Sequence, residues 1–262
     1  MKRQWGREEL LQSVEQMPAQ TKKEVEEKLG FVYPFADRGR YKNKYSVSEI
    51  KHRSMEELFT EKTAEQPEFL QQKETSVIPQ FMMEETVAEE NLGALRGTAM
   101  HRFMECFDFT GELDAKSVFH QEQKMTSEGR LSSKEQELLS RDKLQNFFLT
   151  DLAVRMQQAA RGGELYKEKP FVMQANPSEL FTDAKKDEES VLIQGIIDAF
   201  FVVEGQIVLL DYKTDRVQTK EELVDRYRIQ LQLYAKALQR TLGMPVKEIY
   251  IYSFHLNETI LV

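Results

Sequence analysis

Residues 195–215 read GIIDAFFVVEGQIVLLDYKTD, two β-branched and aromatic runs separated only by Glu204-Gly205. Short apolar runs joined by a two-residue link that contains glycine signal a β-hairpin, because glycine supplies the positive φ such a turn needs. With the turn at Glu204-Gly205, Val203 faces Gln206, and the same register sets Asp198 opposite Asp211. Side chains paired directly across two strands stand about 4.5–5.5 Å apart at Cβ. Two carboxylates that close, between apolar flanks, repel each other, so something must neutralise them. Lys213 lies two residues beyond Asp211 and projects from the same strand face.

A divalent cation would relieve that repulsion. Mg2+ favours a few carboxylates together with water and substrate phosphate oxygens over a full protein cage. Two acids and an amine on one face are then the parts of a phosphodiester hydrolase: a cation to activate water and offset phosphate charge, and a lysine to steady the transition state. Asp-x-Lys alone also occurs as a plain ion pair on an edge strand. The second aspartate across the hairpin is what sets the two readings apart.

Outside the hairpin, the chain has 262 residues, 40% hydrophobic and 31% charged, a globular composition of a size for one large domain or a domain with an extension. Its apolar runs are too short to span a membrane, and no secretory signal opens it. The single cysteine, Cys106, excludes an intrachain disulfide and any four-cysteine metal site, and fits a small core residue in a reducing cytoplasm. No GxxxxGK[ST] loop is present, so ATP hydrolysis is not expected of this chain alone. The net charge of −8 does not advertise nucleic-acid binding, yet residues 38–53 hold six Lys/Arg against one Glu, and residues 213–247 hold eight against four acids. Arg226 and Arg228 in the second segment could meet phosphates without regard to base sequence, or form a solvated helix face.

Residues 1 to about 30 suggest two short helices, RGRYKNKY (38–45) a basic linker, and SVSEIKHRSMEEL a helix with Ser46 and Glu49 as a capping box. From about 54 to 90 the chain is acidic and reads as a long, partly mobile surface connection. Helical spacing returns over 92–109 and within 112–160, and ELYKEKPFVM reads as a strand. Residues 176–190 read as a polar loop. Thr219 and Glu222 open, and Gly243 and Pro245 close, a helix carrying Leu223, Tyr227, Leu231, Tyr234 and Leu238 at helical period. VKEIYIYSF and ETILV are expected strands.

GIID, then DYKTD about a dozen residues later, then QLQLYAKAL, preceded by GTAMH ending at His101, resembles the RecB-type nucleases of the PD-(D/E)XK superfamily over about residues 92–262. The longer order YPF, YSVSEIKH and nuclease motifs is similar to the C-terminal part of the AddA family of helicase–nucleases. The resemblance implies an α/β fold, a central mixed sheet flanked by helices with a helical N-terminal extension over 1–90 and the nuclease domain over 91–262. It implies a DNase, a metal-dependent exonuclease using Mg2+ or Mn2+, with His101, Asp198, Asp211 and the Tyr212 backbone carbonyl as ligands and Lys213 as the catalytic lysine. Gln230 and Tyr234 correspond to a QxxxY pair facing the site or the DNA. The implied partners are a single DNA strand fed from a duplex end, the helicase domains of a parent chain and the AddB protein; the implied task is resection of double-strand breaks in the cytoplasm. A catalytically degenerate DNA-binding or scaffolding module, and a stand-alone nuclease of the same superfamily, are the alternatives. By sequence alone Glu105, on the His101 helix face, reads as a solvated charge, and Glu168 as an exposed strand charge that could help hold metal or water.

Overall fold

The computed structural model describes residues 41–62, 85–184 and 189–262, with side chains described except at 55–62 and 85–91, together with Pro18, Gln20, Thr21 and Lys23. The helices expected before residue 30, apart from those isolated positions, and the stretch 63–84 lie outside the described residues. A six-stranded mixed sheet forms the centre. Its long middle strand, β3 (Val191–Val203), and β4 (Gln206–Lys213) form the expected hairpin. Val203 pairs with Gln206 and Ala199 with Leu210, the register that the turn implies. Glu204 and Gly205 both take positive φ, 53° and 73°, the turn whose twist matches the flanking strands.

β3 is shared unevenly. Along one edge it pairs with β2 (Leu165–Ala175) from Val191 to Phe201. Along the other edge, β1 (Lys44–Ser46) runs parallel to Leu192–Gln194, whereas β4 begins pairing only at Ala199. Between them, residues 195–198 have no strand partner on that edge. β1 and β4 run in opposite directions, so their C-terminal ends converge on this gap, a fork with Asp198 at its mouth. Beyond β4 the sheet continues through the parallel β5 (Val246–Ser253) to the antiparallel β6 (Glu258–Leu261).

Helices cover both faces. On one lie α1 (Val47–Lys62) and the long α7 (Lys220–Leu242), burying Val47, Ile50, Ile193, Ile197, Leu209, Leu223, Leu231 and Tyr234 together. The Ser46–Glu49 capping box is formed in both directions, Glu49 N–H to Ser46 Oγ at 3.2 Å and Ser46 N–H to Glu49 Oε2 at 2.7 Å. α7 is capped by Thr219 and stopped by Gly243 in the left-handed conformation. On the other face α2 (Glu85–Cys106), α3 (Ala115–Ser127), α4 (Ser133–Leu138), α5 (Arg141–Phe148) and α6 (Asp151–Arg161) enclose an aromatic core. There Phe103, Phe107, Phe109, Phe147 and Phe148 meet Tyr212, Tyr252 and Phe254. Cys106 packs, half-buried, at its border.

Two expectations change. The basic stretch 38–45 is more than a linker: Lys44–Ser46 is a strand, and Tyr41 and Tyr45 are buried around Phe181. Three residues are too few to show an alternating pattern, which is why this strand escapes sequence reading. The acidic connection is also shorter than expected, since α1 runs on to Lys62 and α2 starts at Glu85. Residues 44–54 therefore contribute a strand and a helix to the same sheet and core as the hairpin.

Gly195 locks the fork. A Cβ on it would lie 2.8 Å from Phe171 Cε1 and 3.0 Å from Val47 Cγ2, so β2, β3 and the start of α1 close together only over a bare backbone. Gly195→Ala should cost about 1–3 kcal/mol by overpacking; urea unfolding should show a lower midpoint with an unchanged slope.

Candidate active site

The β3–β4 ladder stops one pair short of Asp198 and Asp211. At that point a side chain replaces a backbone acceptor: the Tyr212 N–H donates to Asp198 Oδ2 at 2.9 Å. Face alternation slips at the same place. Ile193 and Ile197 pack with α1 and α7, but so does Phe200, while Ala199 and Phe201 pack with the aromatic core. On the opposite strand, Lys167 pairs with Ala199 and Lys169 with Ile197, yet Glu168 between them is lifted out of the ladder at φ 48°. A left-handed conformation in a non-glycine residue costs about 1–3 kcal/mol and persists only where its surroundings impose it. Here it places the Glu168 carboxylate beside Asp198.

α2 brings the third group. Gly97 comes so close to the end of β4 that a Cβ would sit 2.8 Å from Thr214 Oγ1. The glycine of the GTAMH stretch is thus a point of close approach, and one turn later the helix presents His101. Its Nδ1 is 3.4 Å from Asp198 Oδ2. At the C-terminal end of the same helix, Lys167 Nζ donates to the carbonyls of Phe107 and of Met104, the latter at 3.3 Å, which ties β2 to α2 next to Glu168. His101, Glu168 and Asp198 each offer a donor atom, and these atoms lie within 4.8 Å of one another, at the edge of an open cleft that Gly97, Thr98 and Thr214 also line. An imidazole nitrogen with two carboxylate oxygens is a donor set for Mg2+ or Mn2+.

Behind this group sits a buried pair. Asp211 is fully buried, and its Oδ2 lies 2.5 Å from Lys213 Nζ without the angles of a hydrogen bond. Its Oδ1 accepts from Gln230 Nε2 at 3.0 Å, and the same amide donates to the Tyr234 hydroxyl at 3.2 Å. α7 thus holds the acid from behind through the QxxxY spacing. β4 stays paired with β5 throughout, Asp211 to Ile251 and Lys213 to Ser253, so the strand carrying the pair is held along its far edge. Burial pushes the Asp211 carboxyl up, against the Lys213 charge that draws it down. Burial alone would lower the Lys213 ammonium, but the charges of Asp211 and Asp198 outweigh it and hold it above the ordinary lysine value.

The remaining expected residues fall differently. Arg226 and Arg228 both have acid partners: Arg226 meets Glu222 at 2.7 Å and Asp215 at 3.3 Å, and Arg228 meets Asp225 at 3.3 Å. Their charges are therefore partly spent within the chain, a correction to their reading as phosphate contacts; the partners three and four residues earlier on the helix were visible in the spacing. Glu105 is paired with Arg102 at 2.6 Å. Glu168 is the residue that sequence reading undervalued, because its opposition to Asp198 shows only once the β2–β3 register is known.

Glu168 carries a measurable signature. Burial, then the neighbouring charges of Asp198 and Glu105, push it up to about 7 from an ordinary 4.5. Between those values the folded protein holds a proton that the unfolded chain has released, so without a cation stability falls as pH rises through that window. In EDTA, Glu168→Gln should flatten this fall, raising Tm near pH 8 by about 2–4 °C, the shift ~1 kcal/mol makes in a chain of this size, and leaving Tm near pH 5 unchanged. Added Mn2+ should raise the Tm of the wild type and not of the variant.

The chain matches the family model described as the PD-(D/E)XK nuclease superfamily over residues 69–259. Among curated relatives, the A subunit of the ATP-dependent helicase/nuclease from Clostridium perfringens strain 13 is 35% identical over 246 residues, covering 90% of this chain and 19% of that protein. The proteins of the same name from Clostridium botulinum strain Alaska E43 and Thermoanaerobacter sp. strain X514 are 32% and 34% identical, covering 92% and 88% of this chain and 20% and 18% of theirs. The chain thus spans about a fifth of the length of these relatives.

Proposed function

Because the chain belongs to the PD-(D/E)XK nuclease superfamily, we propose that it is the Mg2+- or Mn2+-dependent DNA exonuclease part of an AddA-type helicase–nuclease. The observation that carries this is the convergence of His101, Glu168 and Asp198 within 4.8 Å, beside the buried Asp211–Lys213 pair. The donor set fits a hard divalent cation, and Asp211 Oδ2, buried without a hydrogen bond, has a lone pair to add. Bound by these residues, with the Tyr212 carbonyl as a further oxygen, such a cation supplies charge against the phosphate and lowers the pKa of water.

The chain's own groups do the rest. Tyr212 N–H and His101 fix Asp198, and Gln230, itself tied to Tyr234, fixes Asp211, so the acids need no reorganisation during reaction. Lys213 stays an ammonium at neutral pH. It orients the attacking water and steadies the negative charge that builds on the phosphoryl oxygens. Water oxygen bonds to phosphorus, the bond to the 3′ oxygen breaks, and that oxygen leaves as a hydroxyl, with a 5′-phosphate on the other fragment. No residue of this arrangement reads bases, which suits an enzyme that must cut whatever strand arrives.

The relatives' name adds the setting: a strand unwound by helicase domains, an AddB partner, and resection of double-strand breaks for recombination in the cytoplasm. Among the described residues no helix is long and apolar enough to cross a membrane.

Cleavage of linear single-stranded DNA should require Mg2+ or Mn2+ and stop in EDTA. Asp198→Ala and Lys213→Ala should each lower the rate by about 10²–10³-fold or more, the scale of losing a preorganised electrostatic group. A chain that neither cuts DNA with either ion nor binds either ion by calorimetry would be a degenerate module, and the nuclease reading would fall.

A further inference from the structure

A second lysine stands beside Lys213. Lys51 lies on α1, four residues after Val47 and next to Ile50, on the face that packs toward α7. Its Nζ is 4.3 Å from the centroid of the Tyr227 ring, and Lys213 Nζ is 4.1 Å from the same centroid. A cation this close to a tyrosine ring is attracted by the ring's quadrupole. The Tyr227 hydroxyl donates to Asp215, at 2.9 and 3.0 Å to its two oxygens, which leaves the ring richer in electrons. The fold explains the meeting: β1 and β4 end at the same gap in β3, α1 starts where β1 ends, and Lys51 is one turn along.

The charges there do not balance. Asp211 is committed to Lys213 and Gln230, and Asp215 to Tyr227 and Arg226. Among the described residues no carboxylate is in ion-pair reach of Lys51. Its neighbours are Lys213 and Arg226, of like charge, and Asp215 and Asp211 at longer range; burial, then Lys213, lowers its affinity for a proton. A half-buried ammonium held by a ring, facing another ammonium and lacking its own anion, is suited to receive one.

We propose that Lys51 grips a backbone phosphate of the substrate strand next to the one that Lys213 serves, so that the segment at residues 44–54 completes the nuclease site. This rests on the nuclease reading above. Arg226 and Arg228, already paired with acids, are poorer candidates for that contact.

The test is binding of a labelled single-stranded oligo(dT) in EDTA, followed by anisotropy between about 50 and 200 mM KCl, beside cleavage in Mn2+. Each phosphate contact on a single strand contributes about 0.7 to the slope of log K against log salt. Lys51→Met keeps the stem over the ring and removes the charge. It should weaken binding and reduce the slope by about 0.7, whereas Lys51→Arg keeps the slope and Lys42→Met, at an exposed lysine paired with Glu49, leaves binding unchanged. Thermal unfolding checks each variant, and Lys51→Gln replaces Lys51→Met if the latter is unfolded. A neutral, folded variant with the wild-type slope overturns the phosphate grip while wild-type cleavage leaves the nuclease reading standing. A wild type that neither cuts nor binds the strand ends both.

Discussion

Two carboxylates brought face to face by a β-hairpin are the constraint around which this molecule is arranged. The register that pairs Val203 with Gln206 carries Asp198 and Asp211 toward each other, and the ladder opens before they meet. Each acid is then restrained in its own way. Asp198 takes the Tyr212 amide and the His101 imidazole and stays near solvent. Asp211 goes under cover with Lys213 and Gln230. Leaving a buried charge without its partner costs several kcal/mol, so the buried lysine and the buried acid require each other, and strand β4 must stay in place for both.

The rest of the sheet serves the opening so created. β3 gives one edge wholly to β2 and divides the other between β1 and β4, leaving residues 195–198 free of a strand on that side. Glycine appears where backbones must come closest: Gly195 under Phe171 and Val47, and Gly97 against Thr214. The helix that carries His101 and the strand that carries Lys213 can share one cleft only because neither side puts a β-carbon between them.

Much of this was legible in the amino-acid order, and what was not has a physical reason. The hairpin could be placed because a lone Glu-Gly turn between two apolar runs admits one register, and α7 because its capping box, period and closing Gly243 agree. The short β1 carried no period to read. Glu168 lies in a charged YKEKPF stretch, and only the β2–β3 register reveals that it opposes Asp198. Lys51 was counted as one charge among several in a basic segment; its place beside Lys213 depends on how α1 docks, which local sequence does not encode. The arginines of α7 were the reverse case, promising in composition but engaged with acids of their own segment.

β1 has a consequence for how the chain folds. Its pairing with β3 joins positions roughly 150 residues apart in sequence, and contacts of such high order form slowly because a long loop must close before they stabilise anything. Until they form, the Val191–Ile193 edge of β3 is an open template for another strand. The three residues of β1 are thus also a latch: they blunt a sticky edge, and their late closure is the step that turns an assembled sheet into a finished cleft.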